Sequence, residues 1–285
     1  MPAQLSSPVA EAPVSEPPPQ SLIGHLERCG EYKVLRRLAI SEGRTAIEGD
    51  LDASYVGIVV DCETTGLDNG KDRIIELATH RFRYDARGRI LKIDKAVSWR
   101  EDPGCALDPA IVLLTGLTDA DLVGQQIDDS AATVMLRSAA IVVAHNASFD
   151  RKMIERRLPD AACLAWACSC HEINWPAAGF DGRSLGWLLA QAGFFHSGHR
   201  AVSDVDAVVQ LLRVEQADGR TALQELLDTA ATPSVLIRAV GAQFDIKDAL
   251  KARGYRWDGS GSIWCEAVCQ AEMADEEYWL CREFL

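Results

Sequence analysis

Residues 55–66, Tyr55-Val-Gly-Ile-Val-Val-Asp61-Cys-Glu63-Thr64-Thr65-Gly66, decide the fold of this chain. The run up to Val60 is nearly all apolar and rich in valine, the mark of a central strand covered on both faces. Side chains two apart on a strand share a face, so Asp61 and Glu63 project together from the end of that strand. The carboxyl end of strands is where open α/β sheets bind ligands. Two carboxylates so close repel one another and stay ionised only beside something positive. A divalent cation held by oxygen ligands, Mg²⁺ or Mn²⁺, is the economical explanation. A pair of solvated strand-end acids is the alternative on these two residues alone.

Outward from this strand, residues 73–84 and 89–99 read as two further strands separated by the turn Asp85-Ala-Arg-Gly88. Residues 128–139 read as a helix, 141–145 as a second buried strand and 148–157 as a helix. Two more helices follow at 184–192, capped by Ser184 and closed by Gly193, and at 202–215. Strands in succession, then strands alternating with helices, predict a mixed α/β sheet with helices on both faces. The second buried strand ends in His145-Asn146-Ala-Ser-Phe149-Asp150, with Asp150 in the first turn of the next helix. Taken alone, Asp150 reads equally well as a partner of that helix's dipole. The third element is His199-Arg-Ala-Val-Ser-Asp204-Val-Asp206. His199 and Asp204 are five positions apart, so they do not share a helical face. His199 belongs to the loop before a helix whose first turn carries Asp204. Asp206 reads as surface.

The order DxETTG, HNxxFD, HRAxxD resembles the DEDDh family of 3′–5′ exonucleases, which includes the proofreading epsilon subunit of bacterial DNA polymerase III. Leu107 to Gly124 (LDPAIVLLTGLTDADLVG) is similar to the family segment before its second motif, and the likeness runs from about Tyr32 to Leu212. The stretch from Lys247 to Trp257 (KDALKARGYRW) resembles a signature in the C-terminal extension of stand-alone bacterial epsilon-like exonucleases. The sister class with tyrosine four positions before the last acid is excluded by Arg200. The resemblance implies a ribonuclease-H-like mixed sheet flanked by helices. It implies two divalent ions, Mg²⁺ or Mn²⁺, on Asp61, Glu63, Asp150 and Asp204, with His199 as general base. It further implies contacts from Thr64, Thr65, Leu117, Asn146 and Phe149 to the terminal nucleotide. The implied partner is a nucleic-acid 3′ end, DNA ahead of RNA, with a DNA polymerase as a second associate. A catalytically idle nucleic-acid-binding scaffold is the competing class, against which the complete set of motif residues argues.

Composition bounds the rest. The chain has 285 residues, 48% hydrophobic and 25% charged, which excludes a wholly disordered or fibrous protein. No apolar run reaches the length of a membrane span. A net charge of −13 disfavours a simple basic nucleic-acid-coating protein, though not an enzyme that meets phosphates through cations. Residues 1–20 hold six of the eleven prolines and read as a disordered tail with neither signal-peptide nor transit-peptide character, consistent with a cytoplasmic protein. Residues 21–218 read as the exonuclease domain with a helical lead-in, and 219–285 as a small α+β module of unassigned role. In that module, Val235 to Val240 reads as a strand, Asp245 as an N-cap, Gly254 as a helix stop and DGSGS as a hairpin turn. Nine cysteines without a secretion signal fit a reduced compartment. Cys163, Cys168, Cys170 and His171 lie close in sequence, but their spacing lacks the CxxC knuckle of structural zinc sites.

Overall fold

The computed structural model describes residues 19–259, 261–270 and 273–284. The expected tail lies outside these apart from Pro19 and Gln20. Helix α1 (Pro19–Arg28) and short strands β1 (Arg36–Arg37) and β2 (Gly43–Arg44) lead into β3 (Tyr55–Thr64), β4 (Ile74–Tyr84), β5 (Ile90–Ile93) and β6 (Val97–Arg100). Helices α2 (Pro109–Thr115), α3 (Asp119–Leu122) and α4 (Asp129–Arg137) follow, then β7 (Ile141–Ala144), α5 (Ala147–Arg157) and β8 (Trp166–Cys168). Next come α6 (Leu185–Gln191), β9 (Phe194–Phe195), α7 (Ala201–Leu212) and α8 (Ala222–Ala231). The chain continues through β10 (Ser234–Ala239), α9 (Lys247–Arg253), β11 (Arg256–Asp258), β12 (Ile263–Cys269) and α10 (Met273–Phe284).

The main sheet runs β2-β5-β4-β3-β7-β8, with β6 also paired to β4. The β3–β4 pair is antiparallel, whereas β3–β7 and β7–β8 are parallel, so the sheet is mixed, as the element order predicts. Ile58, Val59 and Val60 are all but inaccessible because β3 is sandwiched. Ile58, Val60 and Cys62 face one core with α4 and α5, while Val59 faces another with α6, α7 and α8. The sandwich carries the three motifs to one edge: the end of β3, the turn after β7 and the start of α7.

The single strand expected over 89–99 is two strands, both paired with β4. The break falls at Asp94. Its N–H bonds Arg81 O at 2.9 Å, its carbonyl lies 2.9 Å from His80 Nε2, and its carboxylate accepts from Arg81 Nε at 2.7 Å. These contacts turn the chain out of the ladder before β6 rejoins it. Within the sheet, Gly57 pairs with Phe82, and a Cβ on Gly57 would stand 2.4 Å from the Phe82 ring. The ring fills the place of a side chain. Gly57→Val is therefore expected to lower stability by about 1–3 kcal/mol through overpacking, read as a lower urea midpoint.

Beyond Gly219 the sequence changes character before the packing does. Ala222, Leu223 and Leu226 of α8 belong to the first core, and Thr221 Oγ1 donates to Gly88 O at 2.9 Å. The antiparallel sheet β10-β12-β11 has its own cluster, built on Ile237, Ala239, Leu250, Tyr255 and Leu280. Asp245 is not the cap of α9. It lies in a 3₁₀ turn, Phe244–Ile246, and Ile246 holds the cap position without a side-chain bond. Gly254 closes α9 at φ 110°, a left-handed conformation glycine adopts freely.

Candidate active site

One carboxylate oxygen from each of Asp61, Glu63 and Asp204 comes within 4.8 Å of the others. Asp61 and Glu63 end β3, and Asp204 enters from the first turn of α7. Asp204 is held at both oxygens: Oδ2 accepts from the Arg200 N–H at 3.1 Å, and Oδ1 lies 2.8 Å from His196 Nε2. The fourth acid, Asp150, is 4% exposed in the first turn of α5. Its Oδ1 accepts the N–H of Cys62 at 3.0 Å, which anchors it to the backbone between Asp61 and Glu63. A fifth carboxylate, Glu76 on β4, is 3% exposed and stands opposite Glu63 in the ladder. Arg100 Nε lies 3.6 Å from Glu76 Oε1.

Burial, with crowding at Asp61 and Glu63, holds Asp61, Glu63 and Asp150 toward their protonated forms. Burial pushes Asp61 well above the carboxylate range, reinforced by the charges of Asp150, Asp204, Glu63 and Glu76. Glu63 is pushed up to about 7 by burial first, then by Asp204, Glu76 and Asp150, with Arg200 opposing. Burial raises Asp150 to about 7. This all-oxygen, anionic, poorly hydrated set fits a hard divalent cation, which Asp61, Glu63 and Asp204 would hold directly. The cysteine alternative does not assemble. Cys168 and Cys170 are buried, Cys163 is exposed, and among the described residues only the carboxylate group has the proximity to hold a metal.

The same shifts set a pH dependence. A carboxyl whose folded-state pKa exceeds its unfolded value keeps its full share of stability below the unfolded value and loses it as pH rises through the folded one. For Glu63 and Asp150 that window runs from about 4 to about 7. The metal-free protein is therefore expected to melt at a lower temperature at pH 8 than at pH 5.5. Added Mg²⁺ is expected to restore more of the melting temperature at pH 8. Equal melting temperatures in EDTA at the two pH values would contradict this electrostatic account.

The other motif residues are placed less uniformly. His199 is exposed in the loop before α7 at φ 59°. Asn146 caps α5 at φ 81°, also exposed. Both conformations are uncommon without glycine, and such residues concentrate at functional sites. Thr64 Oγ1 donates to Gly66 O at 2.6 Å. Thr65 Oγ1 donates to Asp72 at 3.0 Å and accepts from the Arg73 N–H at 3.0 Å. Both hydroxyls thus shape the loop after β3. Asp72 fills the space a side chain at Gly66 would need, since a Cβ there would meet its Oδ2 at 2.5 Å. Phe149 is half-buried against the second core. Leu117 is 1% exposed, in a cluster with Ile75, Leu107 and Leu122; the exposed apolar side chains just before it are Leu113 and Leu114.

Asp206 is not a surface residue in isolation: its Oδ1 lies 2.7 Å from Nδ1 of His80, which is 2% exposed. Sequence reasoning also passed over His196, because a loop histidine eight residues before an acid has no helical spacing to mark it. Several arginines on the sheet and α5 are ion-paired: Arg81 with Asp94, Arg89 with Asp85, and Arg157 with Glu101 and Asp129.

The family model for exonucleases matches residues 58–212, more than half of the 285-residue chain. The chain belongs to the exonuclease family. The match begins inside β3 and ends with α7, so it encloses all four acids of the three motifs and His199. Ribonuclease T of Shewanella sp. (strain ANA-3) is 25% identical over 118 residues, covering 36% of this chain and 53% of that protein. DNA polymerase III PolC-type of Staphylococcus aureus is 42% identical over 106 residues, covering 36% of this chain and 7% of that protein. The match thus spans about half the length of the ribonuclease T relative. A structure of exonuclease I superposes with a TM-score of 0.51 at 16% identity, covering 75% of this chain and 62% of that one. This likeness is one of fold, the ribonuclease-H-like mixed sheet. No helix among the described residues is long and apolar enough to cross a membrane.

Proposed function

We propose that this protein is a metal-dependent 3′–5′ exonuclease that releases nucleoside 5′-monophosphates from DNA ends. The observation that carries the reading is the convergence of Asp61, Glu63 and Asp204 within 4.8 Å beside buried Asp150, inside the family match. Asp61, Glu63, Asp150 and Asp204 would hold two divalent ions, Mg²⁺ or Mn²⁺. When bound, these supply charge neutralisation at the phosphodiester and activation of water. His199 takes a proton from the attacking water, whose oxygen bonds phosphorus while the 3′ oxygen of the preceding nucleotide departs. Thr64 and Thr65 shape the loop that meets the terminal nucleotide, with Asn146 and Phe149 as further contacts, and Leu117, 1% exposed, would support that pocket from beneath. The catalytic unit expected over residues 21–218 would extend through α8, whose Ala222, Leu223 and Leu226 pack in its core, with the small module beginning at β10, in a cytoplasmic enzyme of repair or proofreading.

The PolC-type match supports DNA and a polymerase context. The ribonuclease T match supports the second reading, RNA 3′ ends. Matched DNA and RNA oligonucleotides, single- and double-stranded, separate them: faster monophosphate release from DNA is expected, and faster release from RNA would install the second reading. A strand with a 3′-phosphate is expected to resist digestion, because the terminal hydroxyl belongs in the pocket. Cleavage of circular single strands at the rate of linear ones would mark an endonuclease.

A further inference from the structure

A cavity of about 440 Å³ lies between β8, the first turn of α5 and the C-terminal sheet. Among the described residues, three buried side-chain atoms without a hydrogen-bond partner belong to residues lining this one cavity. They are Trp166 Nε1, Glu172 Oε2 and Glu266 Oε2. Buried polar atoms left unpaired are costly, so three around one void point to a missing partner. Trp166 offers an N–H, and Glu172 and Glu266 offer carboxyl oxygens. Burial raises both carboxyls above their ordinary range, with Arg256 opposing in each case. Two guanidinium groups complete the wall. Arg151 pairs with Glu155 at 2.8 Å, and Arg256 is exposed.

The cavity therefore has hydrogen-bonding groups of both signs in its buried part and cations in its wall, within the size range of small-ligand sites. An anion alone would leave Glu172 and Glu266 without donors. A simple amine would leave Trp166 and Arg256 without acceptors. A nucleotide satisfies both: base amino groups meet the carboxyls, a ring acceptor meets Trp166, and the phosphate meets the arginines. The cavity also adjoins the catalytic motif, since Ala147 and Ser148 line it from the same turn that carries Asp150. We propose that this cavity binds one nucleotide, with its base toward Trp166, Glu172 and Glu266 and its phosphate toward Arg151 and Arg256. The choice of a nucleotide rests in part on the exonuclease reading. The nucleotide comes either from the strand behind the cleaved end or from free monophosphate.

Calorimetry on the full chain in EDTA isolates this cavity, because the carboxylate site without cations repels phosphate. The probes are deoxyadenosine 5′-monophosphate and a short single-stranded deoxyadenylate oligonucleotide, against wild type, Arg256→Ala and Glu266→Gln. Arg256 is exposed, so its replacement spares the fold, and Glu266→Gln keeps the side chain's shape. Each substitution is expected to weaken binding about tenfold, the scale of one charge-assisted hydrogen bond. Weakened binding of both probes identifies free monophosphate as a ligand, and weakened binding of the oligonucleotide alone identifies the strand. No binding in EDTA, or affinities unchanged in both variants, overturns the proposal. Monophosphate release with Mg²⁺ from the same preparations keeps the two readings apart. Turnover without cavity binding sinks the cavity alone, and cavity binding without turnover sinks the exonuclease reading alone.

Discussion

Glu63→Gln is expected to abolish turnover while making the metal-free protein more stable at pH 8. Both effects have one cause. Glu63 sits among Asp61, Asp150, Asp204 and Glu76 with its carboxyl pushed up to about 7, so at pH 8 its ionisation opposes the folded state. Removing that charge relieves up to about 3 kcal/mol, or roughly 2–4 °C in melting temperature per kcal/mol for a protein of this size. The gain should vanish at pH 4, where the wild-type carboxyl is already neutral. It should shrink with saturating Mg²⁺, because the cation then offsets the same repulsion in the wild type. Asp61→Ala should behave alike for activity, and EDTA should silence the wild type. Thermal melts at two pH values, with and without Mg²⁺, decide the matter alongside monophosphate release. A Glu63→Gln variant destabilised in EDTA at pH 8 would show that the carboxylate is a structural acceptor and not a reserved cation ligand. Full turnover by metal-free wild type would remove the metal mechanism altogether.

The difference between what the sequence displays and what it conceals follows from the range of the interactions. The buried run of β3, the apolar β7 and the acids placed just after them are local patterns, so the sheet and three of its motifs are legible from residues 55–66, 141–150 and 199–204. Glu76 is not. Within Ile-Ile-Glu76-Leu-Ala it looks like an ordinary strand residue, and only the register that pairs it with Glu63 brings it to the site. His80 and Asp206 are 126 residues apart in sequence, and their contact is likewise a product of packing between α7 and β4. The attachment of α8 to the main core depends on Thr221 and Gly88, also distant in the chain. Antiparallel register and helix docking are tertiary facts, and hydrophobic periodicity carries no record of them.

His199→Ala is expected to slow the chemical step by about 10²-fold or more while leaving cation and oligonucleotide affinity nearly unchanged. The motif position argues for a base, and the structure adds a rival. His199 is exposed at φ 59°, whereas His196 lies 2.8 Å from Asp204 Oδ1. A histidine bound to a ligand oxygen competes with a cation for that oxygen. His196→Ala should therefore leave the rate at saturating Mg²⁺ intact and tighten cation binding if it changes it at all. A base acts differently: its loss is partly rescued by raising the pH, because hydroxide then arises without it. Single-turnover rates across pH, with cation affinity by calorimetry, separate the two roles. Asp204→Ala supplies the control, a variant with weakened cation binding and no rescue by alkali. A rate loss with alkaline rescue in His196→Ala, and a normal rate in His199→Ala, would transfer the base to His196. That outcome would mean that the two residues between the two histidines, Ser197 and Gly198, and not the motif spacing, determine which imidazole faces the water.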